Sequence, residues 1–336
     1  MAQGDSARAV VNSYISIGRE ASFGTYQSTT ASMACIEALS CSFKTDITSQ
    51  KIPSLSTNRG PHRRVMLDKS VGGTLEQYLH PQESVLAMAA ALGGGISTTA
   101  ASGSSYLHTM ISGNFSASVS SVCFNLRKAT GQTWRYQGGR VNSMKMTANV
   151  GEPVKMSYDF IFKDSTALSE DLSAVMTLTS ILPLTYVQGA YTYSGSSQKI
   201  QGFELTINNN LKSDKDAREL GSNVISVLPA TNRSVEFKIM QRIDTTTAYD
   251  TFLSGTNAAA QLKFTSTQLI SASASSGYYV QVDLAKIFYN SPDTELKGPG
   301  DILTAEIPFD VVVDNPNTTT GYDVKVTVRN NIASYD

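Results

Sequence analysis

The chain has 336 residues, 27 Lys and Arg against 28 Asp and Glu, a formal charge of -1 and 41% hydrophobic residues. That near-neutral balance excludes a basic nucleic-acid binder, which needs a net positive field to collect phosphates, and the apolar content excludes a disordered chain. Charged residues are only 16%, against roughly 25% in an ordinary soluble domain, so the surface is polar but lightly charged, as suits a protein that hides part of itself against its own copies.

The N-terminal stretch Met1–Arg8 has no apolar core behind a basic stretch, so no signal peptide is visible. The longest apolar run, Val85–Leu92, is far short of the roughly 20 residues of a membrane span. Cys35, Cys41 and Cys123 are an odd count without a C-x-x-C pair, which excludes a complete disulfide framework. The expectation is a soluble intracellular product with reduced, mostly buried thiols.

In chain order, residues from about Gln50 to His80 carry Lys51, Arg59, Arg63, Arg64 and Lys69 among Pro53, Pro61, Gly60, Gly72 and Gly73. They predict a long, locally basic loop, a kind of segment that is usually functional or disordered. Pro81–Leu92 predicts a helix, with Pro near its start, Glu in the first turn and Gly93 after its end. Gly93–Ser105, rich in Gly, Ser, Thr and Ala, predicts a mobile low-complexity stretch.

Period-two alternation dominates the remainder. Met144, Met146, Ala148 and Val150, then Val154, Met156, Tyr158, Phe160 and Phe162 across Gly151-Glu152-Pro153, predict a hairpin over Val141–Phe162 with one buried face. Phe203, Leu205, Ile207 and Leu211 predict a second strand, and Val235, Phe237, Ile239 and Ile243 its companion. Further strands are expected over Tyr278–Leu284, Leu303–Val313 and Tyr322–Val328, a short helix or turn over Ser213–Leu220, and a helix over Tyr249–Ala259. The alternating strands after Gly139 and Gly202 echo one another. The echo reads either as duplicated halves, about 12–165 and 175–330, or as the general likeness of strands.

Catalytic patterns are missing. His62, His80 and His108 form no H-x-x-x-H pair and have no nearby Cys, so neither a metal site nor a cofactor is expected. His62 and His80 read as exposed or capping residues, and His108 enters a Ser/Thr-rich strand. The sequence lacks G-x-S-x-G, G-x-x-x-x-G-K-[ST] and G-x-G-x-x-G. The basic stretch Lys51–Lys69 carries no Trp, Tyr or Phe to stack on bases; it could hold phosphates, yet its charges equally suit an acidic protein neighbour. A structural, non-catalytic protein is the reading.

Four segments carry a resemblance. Ile17–Tyr26 (IGREASFGTY), Gly73–Gln82 (GTLEQYLHPQ) running into the helix, Gln201–Lys212 (QGFELTINNNLK) and Tyr249–Asn257 (YDTFLSGTN) resemble, in that order, segments of the long-tailed bacteriophage major tail tube protein family. The resemblance implies a mainly β fold: one antiparallel β-sandwich or split barrel domain over 1–336, with one or two short helices and long loops, assembling into an inner β-barrel ring. It implies hexameric rings that stack around a tape-measure protein, end at a terminator or neck protein, and conduct DNA without specific binding. The protein would be made in the host cytoplasm and reside in the virion tail, with no membrane partner. Under it, Met144, Met146, Met156, Tyr158, Phe203, Leu205, Ile207, Phe237 and Ile239 belong to the inner-barrel strands, whose polar faces line the lumen. Lys51, Arg59, Arg63, Arg64 and Lys69 are the candidate contacts to a neighbouring subunit or ring, and the arm Met1 to about Val11 orders on stacking. The apolar stripes are expected to be satisfied only when subunits close a ring. Other virion β-proteins (a terminator, a decoration protein or an adhesin) and a surface carbohydrate-active enzyme are the alternatives.

Overall fold

The computed structural model describes residues 13–26, 33–52, 60, 63–93, 95–102, 104–113, 121–129, 132–168, 178–242, 247–271, 276–290, 303–314 and 321–335. Among them nineteen strands pair, every ladder antiparallel. One sheet runs, neighbour to neighbour, through β3 (Ala38–Cys41), β5 (Arg63–Tyr78), β10 (Lys155–Phe162), β9 (Gln132–Asn149), β14 (Gly202–Asn208), β15 (Ser234–Arg242) and β18 (Thr304–Val312). A second runs through β6 (Ile96–Ala101), β7 (Ser105–Ile111), β19 (Val324–Asn330), β17 (Ser276–Tyr289), β16 (Asn257–Ser271), β12 (Gly189–Tyr193) and β13 (Ser196–Gln198). The end of β17 pairs with β18 and joins the two. The first half of β9 also pairs with β8 (Val122–Ala129) and β11 (Asp164–Leu168), and β8 continues into β1 (Tyr14–Arg19) and β2 (Met33–Ile36).

Alternation decides which face is dry. Met144, Met146, Met156, Tyr158, Leu205, Ile207 and Phe237 are 0% exposed, Ile239 1% and Phe203 6%. They share one buried cluster with Val280, Val282, Val326 and Val328 of the second sheet. The expectation that these stripes wait for sister subunits is therefore corrected: they are already buried within a single chain. Burial of this kind stabilises by about 25 cal/mol per Å² of apolar surface, and it leaves only polar faces, sheet margins and projections for partners.

α1 (Val85–Leu92) is apolar all round and buried along its whole length, packed against β9, β1, β7 and β8. A helix of that composition is stable only inside a core. Its start is fixed by Ser84, whose Oγ accepts from His80 N–H (3.0 Å) and Gln77 Nε2 (3.1 Å). Gly93 ends it at φ 68°, its N–H reaching Ala89 O at 3.1 Å, a left-handed cap that favours glycine.

Four expectations change. The predicted loop Gln50–His80 is instead a hairpin arm, β4 (Lys44–Ile52) on the first half of β5, followed by the sheet-forming second half of β5. Gly73, at φ 147°, marks no turn; a Cβ there would meet Ser42 O at 2.6 Å, so it allows a close backbone crossing. The predicted mobile stretch after Gly93 contains β6, an edge strand whose exposed Ser and Thr carry no hydrophobic signature. His80 is buried at 2% exposure, with Nε2 3.6 Å from Glu37 Oε2. The helix expected over Tyr249–Ala259 is α2 (Thr247–Ser254), and the chain is already strand at Asn257. His62 lies outside the described residues.

His108, fully buried on β7, ties the second sheet to the C-terminal residues. Its Nδ1 is 2.9 Å from Thr98 Oγ1 and its Nε2 2.9 Å from Asn330 Oδ1, and the ring stands edge-on to Tyr335. Burial holds its pKa below the ordinary 6.5. As pH falls through about 6.5 the unfolded chain therefore binds a proton that the folded chain refuses, and stability drops. Urea titrations at pH 7.5 and 5.5 should show a smaller acid loss for His108→Gln than for the wild type; equal losses would contradict this.

Candidate assembly surfaces

The wet face of the first sheet is a continuous polar surface. Register places Glu76, Ser157, Lys145, Thr206, Glu236 and Asp310 in one row, and Tyr78, Lys155, Thr147, Glu204, Lys238 and Pro308 in the next. A third row holds Thr74, Asp159, Ser143, Asn208 and Ser234. Lysines bridge neighbouring strands: Lys145–Glu204 at 2.8 Å, Lys155–Glu76 at 3.2 Å and Lys238–Glu306 at 3.1 Å. The ammonium of Lys155 and the hydroxyl of Ser40 hold the Glu76 carboxyl below its ordinary value, and the bond to Glu306 raises Lys238. These exposed pairs add little stability; their consequence is that no lysine of the face lacks a carboxylate. Six carboxylates (Glu76, Asp159, Glu204, Glu236, Glu306, Asp310) against Lys145, Lys155, Lys238 and Arg242 leave a net charge of -2. The nine predicted inner-barrel residues belong to these same strands, on the opposite, buried face.

The arm leaves this sheet where Val71 pairs with Phe162 and runs back to Arg63, about 25 Å at strand rise. Its base is fastened. Lys69 Nζ is held by the Asp164 carboxylate and donates to Ser165 O at 2.8 Å. Arg218 donates to Lys69 O at 3.2 Å and lies 3.5 Å from Asp68. Lys69 is thus engaged within the chain. Beyond it nearly every side chain is exposed, including Lys51, Arg63 and Arg64; Arg59 lies outside the described residues. Five large apolar side chains stand among these cations: Ile47 (48% exposed), Ile52 (38%), Val65 (43%), Met66 (66%) and Leu67 (46%). The charge pattern did not single them out, although Val65-Met66-Leu67, three apolar residues in a charged stretch, was the available signal.

The conspicuous acids elsewhere serve the backbone. Glu20 accepts from the N–H groups of Gly24 (2.9 Å) and Gly138 (2.7 Å) and from the Ser121 hydroxyl, so the Glu20–Thr25 motif builds a turn, and burial pushes its carboxyl up. Glu83 accepts from Glu37 N–H (2.7 Å) and Thr179 N–H (3.3 Å). Among the described residues no three His, Cys, Asp or Glu cluster as metal ligands, and no helix is long and apolar enough to cross a membrane.

A sheet with one dry and one ion-paired face, carrying a projecting hairpin with exposed apolar residues, defines a structural protein built to pack against other protein surfaces. The sequence model of the phage tail tube protein family matches residues 11–311, and the chain belongs to that family. It is a structural, non-enzymatic component of the phage virion tail, of a family whose membership implies self-assembly. No curated protein matches the chain.

Proposed function

We propose that this protein assembles, as a single tube-forming domain, into rings of six that stack into the tail tube, each subunit turning its ion-paired sheet face toward a lumen that conducts DNA. The observation that carries this reading is that face: polar, net negative, and with each lysine already bound to a carboxylate. DNA affinity grows with the number of phosphates that free cations neutralise. A lumen whose ammonium groups are internally paired offers the duplex little to hold, so DNA slides through. Closing the sheet around an axis also covers the strand margin at β3 and the part of β18 beyond its pairing with β17, which would otherwise template irregular pairing. Before DNA passes, the lumen holds a tape-measure protein, and a terminator or neck protein caps the stack.

The arm supplies the axial contact. Exposed aliphatic side chains gain by burial, and Lys51, Arg63 and Arg64 select a carboxylate-bearing partner by complementarity. Sedimentation of the purified chain over a concentration series tests the reading. Indefinitely long tubes should pellet above a threshold concentration, whereas a single closed ring or a monomer would stay in the supernatant at every concentration.

A further inference from the structure

We infer that the open end of the sandwich beneath β12 and β13 is the socket that receives the arm tip of a subunit in the adjoining ring; this rests on the stacked-ring reading. The sheet has two ends. The arm leaves from the end with Val71 and Phe162, and the opposite end carries Tyr78, Lys155, Asn149 and Gly202. At that opposite end the two sheets part around a cavity of about 330 Å³, lined by Ala148 and Phe203 of the first sheet and by Leu262 and Phe264 of the second. The Phe203 and Phe264 rings lie 5.7 Å apart at its floor. Tyr186 forms part of the rim, and the next residue, Val187, is 73% exposed.

The occupant is a second copy of this chain, on three grounds. The cavity joins an apolar patch of Ala148, Phe203, Leu262 and Phe264 to polar lining from Asn149, Gln198, Lys199 and Gln201, and its size takes a small cluster of side chains; the arm is a projecting group of exposed aliphatic residues with cations among them, at the other end of the same molecule. A knob at one end and a hole at the other form a heterologous contact, which repeats without closing and so gives an open filament. The charges also fit. Asn149 donates to the Glu152 carboxylate at 3.3 Å, and Tyr186 N–H reaches Glu152 O at 3.2 Å, which fixes that acid beside the rim. Glu152 has no basic partner within salt-bridge distance among the described residues. Lys51, Arg63 and Arg64 arrive with the arm as partners for Glu152, while Lys199, the one cation lining the cavity, works against them.

The test uses the full-length chain, sedimentation and negative-stain microscopy. Ala190, exposed on the cavity wall, is changed to Trp to plug the hole, and Glu152→Arg reverses the rim charge. Both variants should keep the wild-type circular dichroism spectrum and lose at least tenfold in pelletable tubes. Combining Glu152→Arg with Arg63→Glu and Arg64→Glu should restore tubes, a rescue that general destabilisation cannot produce. Wild-type yields from both single variants, or a triple variant no better than its parents, would overturn the socket while leaving the tube reading intact. A wild-type chain that forms no tubes would overturn the stacked-ring reading, and the socket with it.

Discussion

Reversing two charges at the arm tip, Arg63→Glu with Arg64→Glu, is expected to leave the subunit folded and to abolish tube growth. Both residues are exposed at the start of β5, and the hydrogen bond of Arg64 Nε to Ser49 Oγ, at 2.8 Å, is itself exposed. Surface changes of this kind alter folding stability by about 0.5 kcal/mol or less. In the proposed stack assembly multiplies the effect, because a ring of six would dock six arms at once. A loss of about 1 kcal/mol per arm becomes about 6 kcal/mol per ring, roughly four orders of magnitude in association, and like charges brought together at an interface cost more than that. The variant should show a wild-type thermal midpoint and no pelletable material at concentrations where the wild type forms tubes. Tubes of wild-type yield would remove the arm from the axial contact.

The second large effect is expected at Phe43, the hinge between the body and the arm. Its ring is 2% exposed and stands edge-on to Phe124 (5.1 Å), Tyr136 (5.3 Å), Phe160 (5.8 Å) and Phe162 (4.8 Å). Tyr136 also donates its hydroxyl to Phe43 O at 3.2 Å. Phe43→Ala leaves a cavity at the centre of this group and should cost about 3–5 kcal/mol in urea unfolding. Because β4 begins at the very next residue, the same change should loosen the arm base, and backbone amides of Lys44–Asp46 should exchange faster than in the wild type. A loss below about 1 kcal/mol would show that the neighbouring rings close over the gap.

The strands legible in the sequence were those with one dry and one wet face. β9, β10, β14, β15 and β18 each put apolar residues on alternate positions because one side meets the core and the other meets water. Where both sides are alike, the alternation vanishes. β8 lies between layers and is buried on nearly all of its residues, as is the middle of β1, so neither announced itself. The arm and β6 fail for the opposite reason, being wet on both faces. Of the candidate surfaces, the exposed cations Lys51, Arg63 and Arg64 were readable from charge, but the hairpin that carries them was not. The wet face of the first sheet was readable as polar residues but not as ion pairs, because Lys238 meets Glu306 only through the β15–β18 pairing, a long-range topology that no local pattern encodes.

The most direct measurement is electron microscopy of the purified chain at high concentration, with cross-sections averaged down the axis. The account predicts tubes of constant diameter built from stacked six-fold rings, with an open channel walled by the face that bears Lys145, Glu204, Lys238 and Glu306. Monomers that stay separate at every concentration, or a channel walled by any other face of the sandwich, would contradict it.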